Sequence, residues 1–214
     1  MLTWERLRQG MVEEQLRKRG IRNERVLEAM DAVPRHEFVP KPHRHLAYND
    51  EPQPIGADQT ISQPYMVAAM AEALELEGTE KVLEIGAGSG YAAAVMSLLA
   101  AHVYSLETEP QMVELAQQNL LRTGYSGRVS VIAGDGTLGY PPEAPYQAIS
   151  VAAGAPRVPQ ALLDQLDPFG GRLVIPIGST QDQELLLIRK LGERTETRKV
   201  AHCRFVLLRG EQGW

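Results

Sequence analysis

The spacing of hydrophobic residues along the chain changes near residue 80. Before that point it follows the repeat of amphipathic helices, which predicts helices over 4–19, 23–34 and 62–76, the second capped by Asn23. Residues 34–61 contain five prolines and little periodicity, so we expect a long loop there, which in a compact domain is usually functional. The inward face of the first helix is predicted to carry Trp4, Leu7, Met11, Val12 and Leu16.

From residue 81 onward, short apolar runs alternate with helical segments. Strands are predicted over 81–85, 103–106, 129–133, 148–152, 172–177, 184–191 and 198–208, and helices over 91–100, 109–122 and 159–166. Such alternation is typical of βαβ units. We therefore expect an α/β fold, a doubly wound and mostly parallel sheet of about seven strands with an N-terminal helical extension. A single domain is expected over 1–214, with the helices and the loop in 1–80 and the α/β core in 81–214.

The composition narrows the possible functions. The 214 residues carry a formal net charge of −5 at pH 7, which disfavours nucleic acid as the main partner. The single cysteine, Cys203, excludes an internal disulfide, and the five scattered histidines lack the spacing of metal ligands. No apolar run is long enough for a transmembrane helix, and the charged N-terminus has no apolar signal core. We expect a cytoplasmic protein without a metal or a membrane partner, and a monomer.

Three alternate glycines, Gly86, Gly88 and Gly90, follow the predicted strand over 81–85 and precede a helix. Glycine permits positive φ and lets a ligand approach the backbone closely. A dinucleotide fingerprint would need a third glycine where Tyr91 stands, whereas the G-x-G-x-G form, with Ser89 between the last two glycines, suits an adenosyl ligand without a pyrophosphate. A tight strand-to-helix turn that binds nothing is the alternative interpretation.

Acidic residues follow the next two strands. Glu107 ends one strand, and Asp135 lies beside Gly136 after the other, so both belong to the sheet edge where open α/β sheets bind ligands. A carboxylate at Glu107 can accept hydrogen bonds from ribose hydroxyls, and Asp135 is well placed to contact an adenine amine. Glu84 adds negative charge, which suits a sulfonium better than a phosphate. The spacing favours S-adenosylmethionine as the cofactor, with S-adenosylhomocysteine as its product.

Ser62 stands directly before the third predicted helix, whose first turn contains Pro64. One interpretation is purely structural, because serine is a preferred N-cap and proline is tolerated in a first turn. The other interpretation is that the hydroxyl and nearby backbone N–H groups meet an anionic substrate at the helix N-terminus. Both interpretations hold together only if the hydroxyl is shared.

The chain resembles the protein-L-isoaspartate O-methyltransferase family over nearly its whole length. The resemblance is carried by the glycine turn and by the stretches AVPRHEFVP (32–40), AYND (47–50), PIG (54–56), QTISQPYMVA (59–68) and GDG (134–136). It implies methylation of the free α-carboxylate of L-isoaspartyl residues in damaged peptides and proteins, after which the ester cyclises to a succinimide. It also implies that 1–80 carries the substrate loop and 81–214 binds the cofactor.

The resemblance implies roles for individual residues. Ser62 matches the residue held to be catalytic, and the substrate is expected to meet Asp58, Thr60, Ile61 and Ser62. The cofactor is expected to contact Gly86, Gly88, Ser89, Gly90, Glu107, Asp135 and Gly136. Three residues depart from the family pattern, namely Asp58 for a glycine, Gln147 for an aspartate, and Leu207 for a proline.

Other functions remain as alternatives at this point. An amino-methylating nucleic-acid enzyme should carry Asn or Asp followed by Pro-Pro and an aromatic after the fourth strand, where this chain has Ala152-Ala153-Gly154. A methyltransferase acting on a small carboxylate would share the cofactor fold, and a binding module without activity is the remaining possibility. An open loop over 41–61 would suit a peptide better than a small molecule.

Overall fold

The computed structural model describes residues 3–214, and its N-terminal part is helical as predicted. Helix α1 (Trp4–Gly10) runs directly into a π-helical segment (Met11–Arg17), and α2 (Glu24–Ala32) follows, capped by the Asn23 side chain at the N–H groups of Arg25 and Val26. Trp4 does not enter the core but remains 39% exposed. Its ring stacks on that of His36, with 4.7 Å between the ring centroids. Within residues 3–214, no helix combines the length and apolar character that a membrane crossing requires.

The prediction of a long loop over 34–61 is wrong. This stretch forms two short 3-10 helices, Arg35–Phe38 and Lys41–Leu46, and then an antiparallel hairpin of strands β1 (Gln53–Gly56) and β2 (Gln59–Ile61). None of these elements is long enough to generate a recognisable hydrophobic repeat. Helix α3 follows over Pro64–Ala73, two residues later than predicted at its start and three residues shorter at its end.

The remainder forms the expected seven-stranded sheet. Its strands are β3 (Lys81–Ile85), β4 (His102–Glu107), β5 (Val129–Ala133), β6 (Ala148–Val151), β7 (Phe169–Gly178), β8 (Gln183–Leu191) and β9 (Arg194–Cys203). They lie in the order β5-β4-β3-β6-β7-β8-β9. The first five strands of this order are parallel, and β8 pairs antiparallel with both β7 and β9, which confirms the fold class. The helices between them are α4 (Tyr91–Ser97), α5 (Pro110–Thr123) and α6 (Gln160–Gln165).

The last strand lies elsewhere in the chain than the prediction of 198–208. Strand β9 spans Arg194–Cys203, and the apolar residues that follow it leave the sheet. The backbones of Val206 and Leu208 instead bond the loop after β6, because Gly154 N–H donates to Val206 O at 2.7 Å and Leu208 N–H donates to Gly154 O at 2.8 Å. This detour brings the apolar run to the carboxyl edge of the parallel strands.

A row of three polar side chains crosses the buried centre of the sheet. Glu84 on β3 stands in register with Ser105 on β4 and Ser150 on β6, and all three are buried. The Ser105 hydroxyl donates to the Glu84 carboxylate, and no basic group contacts that carboxylate within the described residues. Burial raises the pKa of Glu84 to about 8, with the nearby Glu107 carboxylate acting in the same direction against the Ser105 hydrogen bond.

The buried Glu84 carboxyl should make stability fall as pH rises. Below about 4.5, the ordinary pKa, both states hold the proton, whereas between that value and about 8 only the native state holds it. The free energy of unfolding should therefore decline across this window by on the order of 1 kcal/mol per pH unit from this group. Glu84→Gln should remove that slope in urea unfolding at several pH values, and Glu5→Gln, an exposed control, should keep it. Parallel pH profiles for Glu84→Gln and the parent would contradict the assignment.

Candidate active site

One cavity of about 370 Å³ opens at the carboxyl edge of the parallel strands. It lies where the strand order reverses between β3 and β6, the usual ligand position in an open α/β sheet. Its walls come from the glycine turn after β3, from residues 57–62, here called the strap, and from the segment 206–209. The cavity therefore joins segments that lie far apart in the sequence.

The glycine turn presents backbone rather than side chains to this cavity. Gly86, Gly88 and Gly90 all have positive φ. The backbone N–H of Gly86 donates to Leu106 O at 2.8 Å, which fixes the turn against β4. A Cβ on Gly88 would lie 3.3 Å from Ile55 Cδ1 of the hairpin, so a larger residue would crowd the hairpin as well as adopt an unfavourable φ.

Glu107 connects the turn to its surroundings through a buried carboxylate. One oxygen accepts from Gly88 N–H at 2.9 Å, and the other accepts from the N–H groups of Thr108 and Glu109 at 2.9 and 3.1 Å. The Gln59 side chain donates to the second oxygen at 3.4 Å, which ties the strap to the same group. Glu107 is thus held by β4, the glycine turn and the strap together, and it still lines the cavity.

The strap approaches the glycine turn through a tight hairpin turn. Ala57 and Asp58 have φ values of 48° and 55°, which is the left-handed region that favours glycine or asparagine. Two consecutive left-handed residues match the twist of a two-residue hairpin, but alanine and aspartate adopt this conformation at a cost. Asp58 is exposed at the cavity mouth, and Thr60 and Ile61 continue the wall toward Ser62.

Ser62 is not the N-cap of α3, so the structural interpretation of this residue is wrong. The N-cap is Gln63, whose side chain makes no capping bond, and Pro64 occupies the first helical turn. The Tyr65 N–H is instead satisfied by Oδ1 of Asp50 at 3.3 Å. Within residues 3–214 the Ser62 hydroxyl makes no hydrogen bond, and the residue lines the cavity. Its hydroxyl is therefore available to a ligand.

The remaining predicted site residues occupy two different positions. Gly136 lines the cavity, and a Cβ there would lie 2.3 Å from Ile85 Cγ2. Asp135 and Gly90 are outside the lining, and Gly90 forms the N-cap position of α4. Burial favours a higher pKa for Asp135, but hydrogen bonds from the Glu211 N–H and from Thr137 lower it below its ordinary value. A contact between Asp135 and a cofactor stays a prediction.

The sequence patterns did not predict that the segment 206–209 belongs to the site. Val206 and Leu207 are partly exposed apolar residues at the cavity, and Arg209 brings a positive charge. The carboxylates of Asp58, Glu107 and Glu109 also line the cavity. The cavity lining thus combines carboxylates, the backbone of the glycine turn, the unpaired Ser62 hydroxyl and apolar side chains. Residues 3–214 contain no cluster of His, Cys, Asp or Glu arranged to hold a metal ion.

Comparison with solved structures supports the same fold. One structure described as protein-L-isoaspartate O-methyltransferase superposes with a TM-score of 0.85 at 31% identity, covering 96% of this chain and 67% of that one. A Plasmodium falciparum structure in complex with S-adenosyl-L-homocysteine gives a TM-score of 0.82 over 94% of this chain and 98% of that one. At 24% identity, the second comparison bears on the fold alone.

Sequence comparison reaches the level of the family. A protein described as protein-L-isoaspartate O-methyltransferase from Methanoculleus marisnigri is 53% identical, covering 98% of this chain and 94% of its own length. A similarly described protein of Marinobacter nauticus is 54% identical over 97% of this chain and 95% of its own. The sequence model of one family matches residues 6–213. The chain belongs to the protein-L-isoaspartate(D-aspartate) O-methyltransferase family.

Proposed function

We propose that this protein transfers a methyl group from S-adenosylmethionine to the free α-carboxylate of L-isoaspartyl residues in damaged peptides and proteins. The observation that carries the proposal is that the glycine turn with Glu107 and the unpaired Ser62 hydroxyl line one cavity. Methyl transfer requires donor and acceptor to be held in line at close range. Membership of the family supplies the chemical identity of the acceptor.

The residues at the sheet edge fit an adenosyl cofactor. S-adenosylmethionine supplies an electrophilic methyl group on a cationic sulfonium when it is bound. We assign its contacts to Gly86, Gly88, Ser89, Glu107 and Gly136, which line the cavity, whereas the contacts of Gly90 and Asp135, outside that lining, stay predictions from the sequence. The glycines leave room for close approach to the backbone, and Glu107, held by four hydrogen bonds, would accept from the ribose hydroxyls. The carboxylates that line the cavity suit a cation.

The acceptor end of the cavity needs few groups. We assign it to the strap residues Asp58, Thr60, Ile61 and Ser62, with the Ser62 hydroxyl donating to the acceptor carboxylate. That carboxylate is already ionised at neutral pH, because the reference pKa of a carboxyl group is about 4. No general base is therefore required. Opposite charges neutralise during the transfer, and the apolar side chains of Val206 and Leu207 favour it by excluding water.

The class of partner follows from the same assignment. Isoaspartyl peptides and proteins are the proposed substrates, and the net charge of −5 is unfavourable for a polyanion such as nucleic acid. The hairpin covers more of the cavity than an open loop would. We therefore expect the substrate segment to enter the cavity beside Asp58 and the segment 206–209. A monomeric state and a cytoplasmic location stay predictions from the sequence.

The acceptor assignment predicts strong discrimination between two isomeric peptides. An L-isoaspartyl peptide and its normal aspartyl counterpart differ by one methylene in the position of the free carboxylate. Because direct displacement tolerates little misplacement, the isoaspartyl peptide should be methylated far faster. The measurement is the yield of base-labile methyl ester from each peptide with S-adenosylmethionine. Comparable yields would reject the function, and methylation of a small carboxylic acid instead would support the alternative enzyme class.

Removing the Glu107 carboxylate should weaken cofactor binding. A hydrogen bond to a charged group contributes about 1.5–3 kcal/mol, so Glu107→Ala should raise the dissociation constant for S-adenosylhomocysteine about ten- to a hundredfold. Calorimetric titration gives this constant directly. Glu109→Ala, which removes a neighbouring carboxylate of the same cavity, is the matched control and should change it much less. An unchanged constant for Glu107→Ala would remove Glu107 from the cofactor site.

Substitutions of Ser62 should alter activity without altering stability. Because the hydroxyl caps no helix, Ser62→Ala should melt like the parent, within the small range typical of surface substitutions. Ser62→Asp would place a negative charge beside the acceptor carboxylate and should abolish most methyl transfer, whereas Ser62→Ala should keep more. Melting curves and turnover on one isoaspartyl peptide test this ranking, with Ser126→Asp as the remote control. Full activity of Ser62→Asp would exclude a role for Ser62 at the acceptor.

A further inference from the structure

Helix α3 begins with an acceptor supplied from outside the helix. Pro64 in its first turn has no N–H group, so the first N–H of the helix belongs to Tyr65. That N–H donates to Oδ1 of Asp50 at 3.3 Å, and the Gln63 side chain donates to the backbone O of Asp50 at 2.9 Å. Asp50 thus binds the residues that flank Ser62 on its C-terminal side.

The spacing of Ser62 makes this arrangement consequential. Ser62 precedes the N-cap Gln63 by one residue and Tyr65 by three, and three residues is the separation at which a capping hydroxyl accepts from a backbone N–H of the first helical turn. In the absence of Asp50, the Tyr65 N–H would lack its acceptor and would donate to the Ser62 hydroxyl. A hydroxyl oriented toward that N–H would be drawn out of its position in the cavity. The two roles of Ser62 therefore compete, and Asp50 satisfies the group for which they compete.

Asp50 is in turn held by the N-terminal helical region. Its other carboxylate oxygen pairs with Arg19, whose guanidinium lies 3.7 Å from the centre of the Tyr65 ring. The Gln15 side chain donates to the backbone O of Tyr48, two residues before Asp50, at 2.8 Å. The N-terminal helical residues thereby fix Asp50 against the start of α3.

We propose that Asp50 is a positioning residue for methyl transfer, which keeps the Ser62 hydroxyl in the cavity by capping the Tyr65 N–H in its place. The inference rests on the proposed role of Ser62 at the acceptor. Asp50 itself does not line the cavity, so it acts through Ser62 and not through contact with the substrate. The proposal also gives the N-terminal helical extension, which pairs with Asp50 through Arg19, a function in catalysis.

Asp50→Ala should separate activity from stability. Ser62 can replace the lost cap, so the variant should melt close to the parent and bind S-adenosylhomocysteine with unchanged affinity. Its kcat/KM on an isoaspartyl peptide should fall about tenfold or more, because a small displacement of a positioning group is costly. Asp50→Asn keeps an oxygen acceptor for Tyr65 and should restore most of the activity. Parent-like kcat/KM for Asp50→Ala would overturn the proposal.

Glu72 provides a matched control on the same helix. Its carboxylate also accepts from backbone N–H groups of a neighbouring segment, those of Arg22 and Asn23, at 2.7 and 2.8 Å. Glu72→Ala should lower the melting temperature and leave kcat/KM unchanged. If Asp50→Ala fails to fold, Arg19→Gln, which removes both the ion pair with Asp50 and the contact of this exposed arginine with the Tyr65 ring, should lower kcat/KM severalfold without unfolding the protein. An Arg19→Gln variant with parent-like kcat/KM would then overturn the proposal.

A double-mutant cycle tests whether Asp50 acts through Ser62. If it does, Asp50→Ala should lower kcat/KM little further in the Ser62→Ala background, and the double variant should melt below either single variant, because Tyr65 then has no acceptor. If Ser62→Ala lowers kcat/KM and the losses of the two single variants add fully in the double variant, the role of Asp50 is overturned, whereas that of Ser62 stands. A Ser62→Ala enzyme as active as the parent would overturn the acceptor role of Ser62, and the role of Asp50 with it.

Discussion

The Glu107 carboxylate is the group on which the geometry of the cavity most depends. It stands at the end of β4 and accepts hydrogen bonds from the glycine turn, from the start of α5 and from the strap. These contacts fix backbone that has no side chain of its own to hold it in place, above all around Gly88. A glycine-rich turn is useful to a ligand only if its conformational freedom is restrained, and here a buried acidic group provides that restraint.

The proposed acceptor end of the cavity depends on different interactions, those of the strap and of Asp50. The strap reaches Ser62 through a short hairpin whose turn residues, Ala57 and Asp58, occupy the left-handed region. The helix that follows receives its cap from Asp50 and not from its own first residues. As a result, a hydroxyl that would ordinarily stabilise a helix stays unpaired at the cavity. Under the proposed role of Ser62, the N-terminal extension, which contacts Asp50 through Arg19, supports the acceptor site as well as contributing to the hydrophobic core.

The strands of the core could be predicted because their signal is local. Val129–Ala133 was predicted with its observed limits, and the glycine turn was placed between β3 and α4 from the sequence alone. The predictions of two features are wrong because the residues that determine these features lie far away in the chain. The cap of α3 comes from a residue 15 positions before Tyr65, and the apolar run at Val206 resembles a strand although its backbone pairs with Gly154. The hairpin was missed since its strands have only four and three residues and its turn lacks glycine at the central positions.

The central claim is that donor and acceptor meet in one cavity with Ser62 at the acceptor. A crystal structure of the protein with S-adenosylhomocysteine and an L-isoaspartyl peptide tests it most directly. The account predicts the adenosyl group beside Glu107 and the glycine turn, and the isoaspartyl α-carboxylate within hydrogen-bonding distance of Ser62 Oγ, with one oxygen directed at the cofactor sulfur. A carboxylate bound at Arg209 or elsewhere, away from Ser62 and out of line with the sulfur, would contradict it.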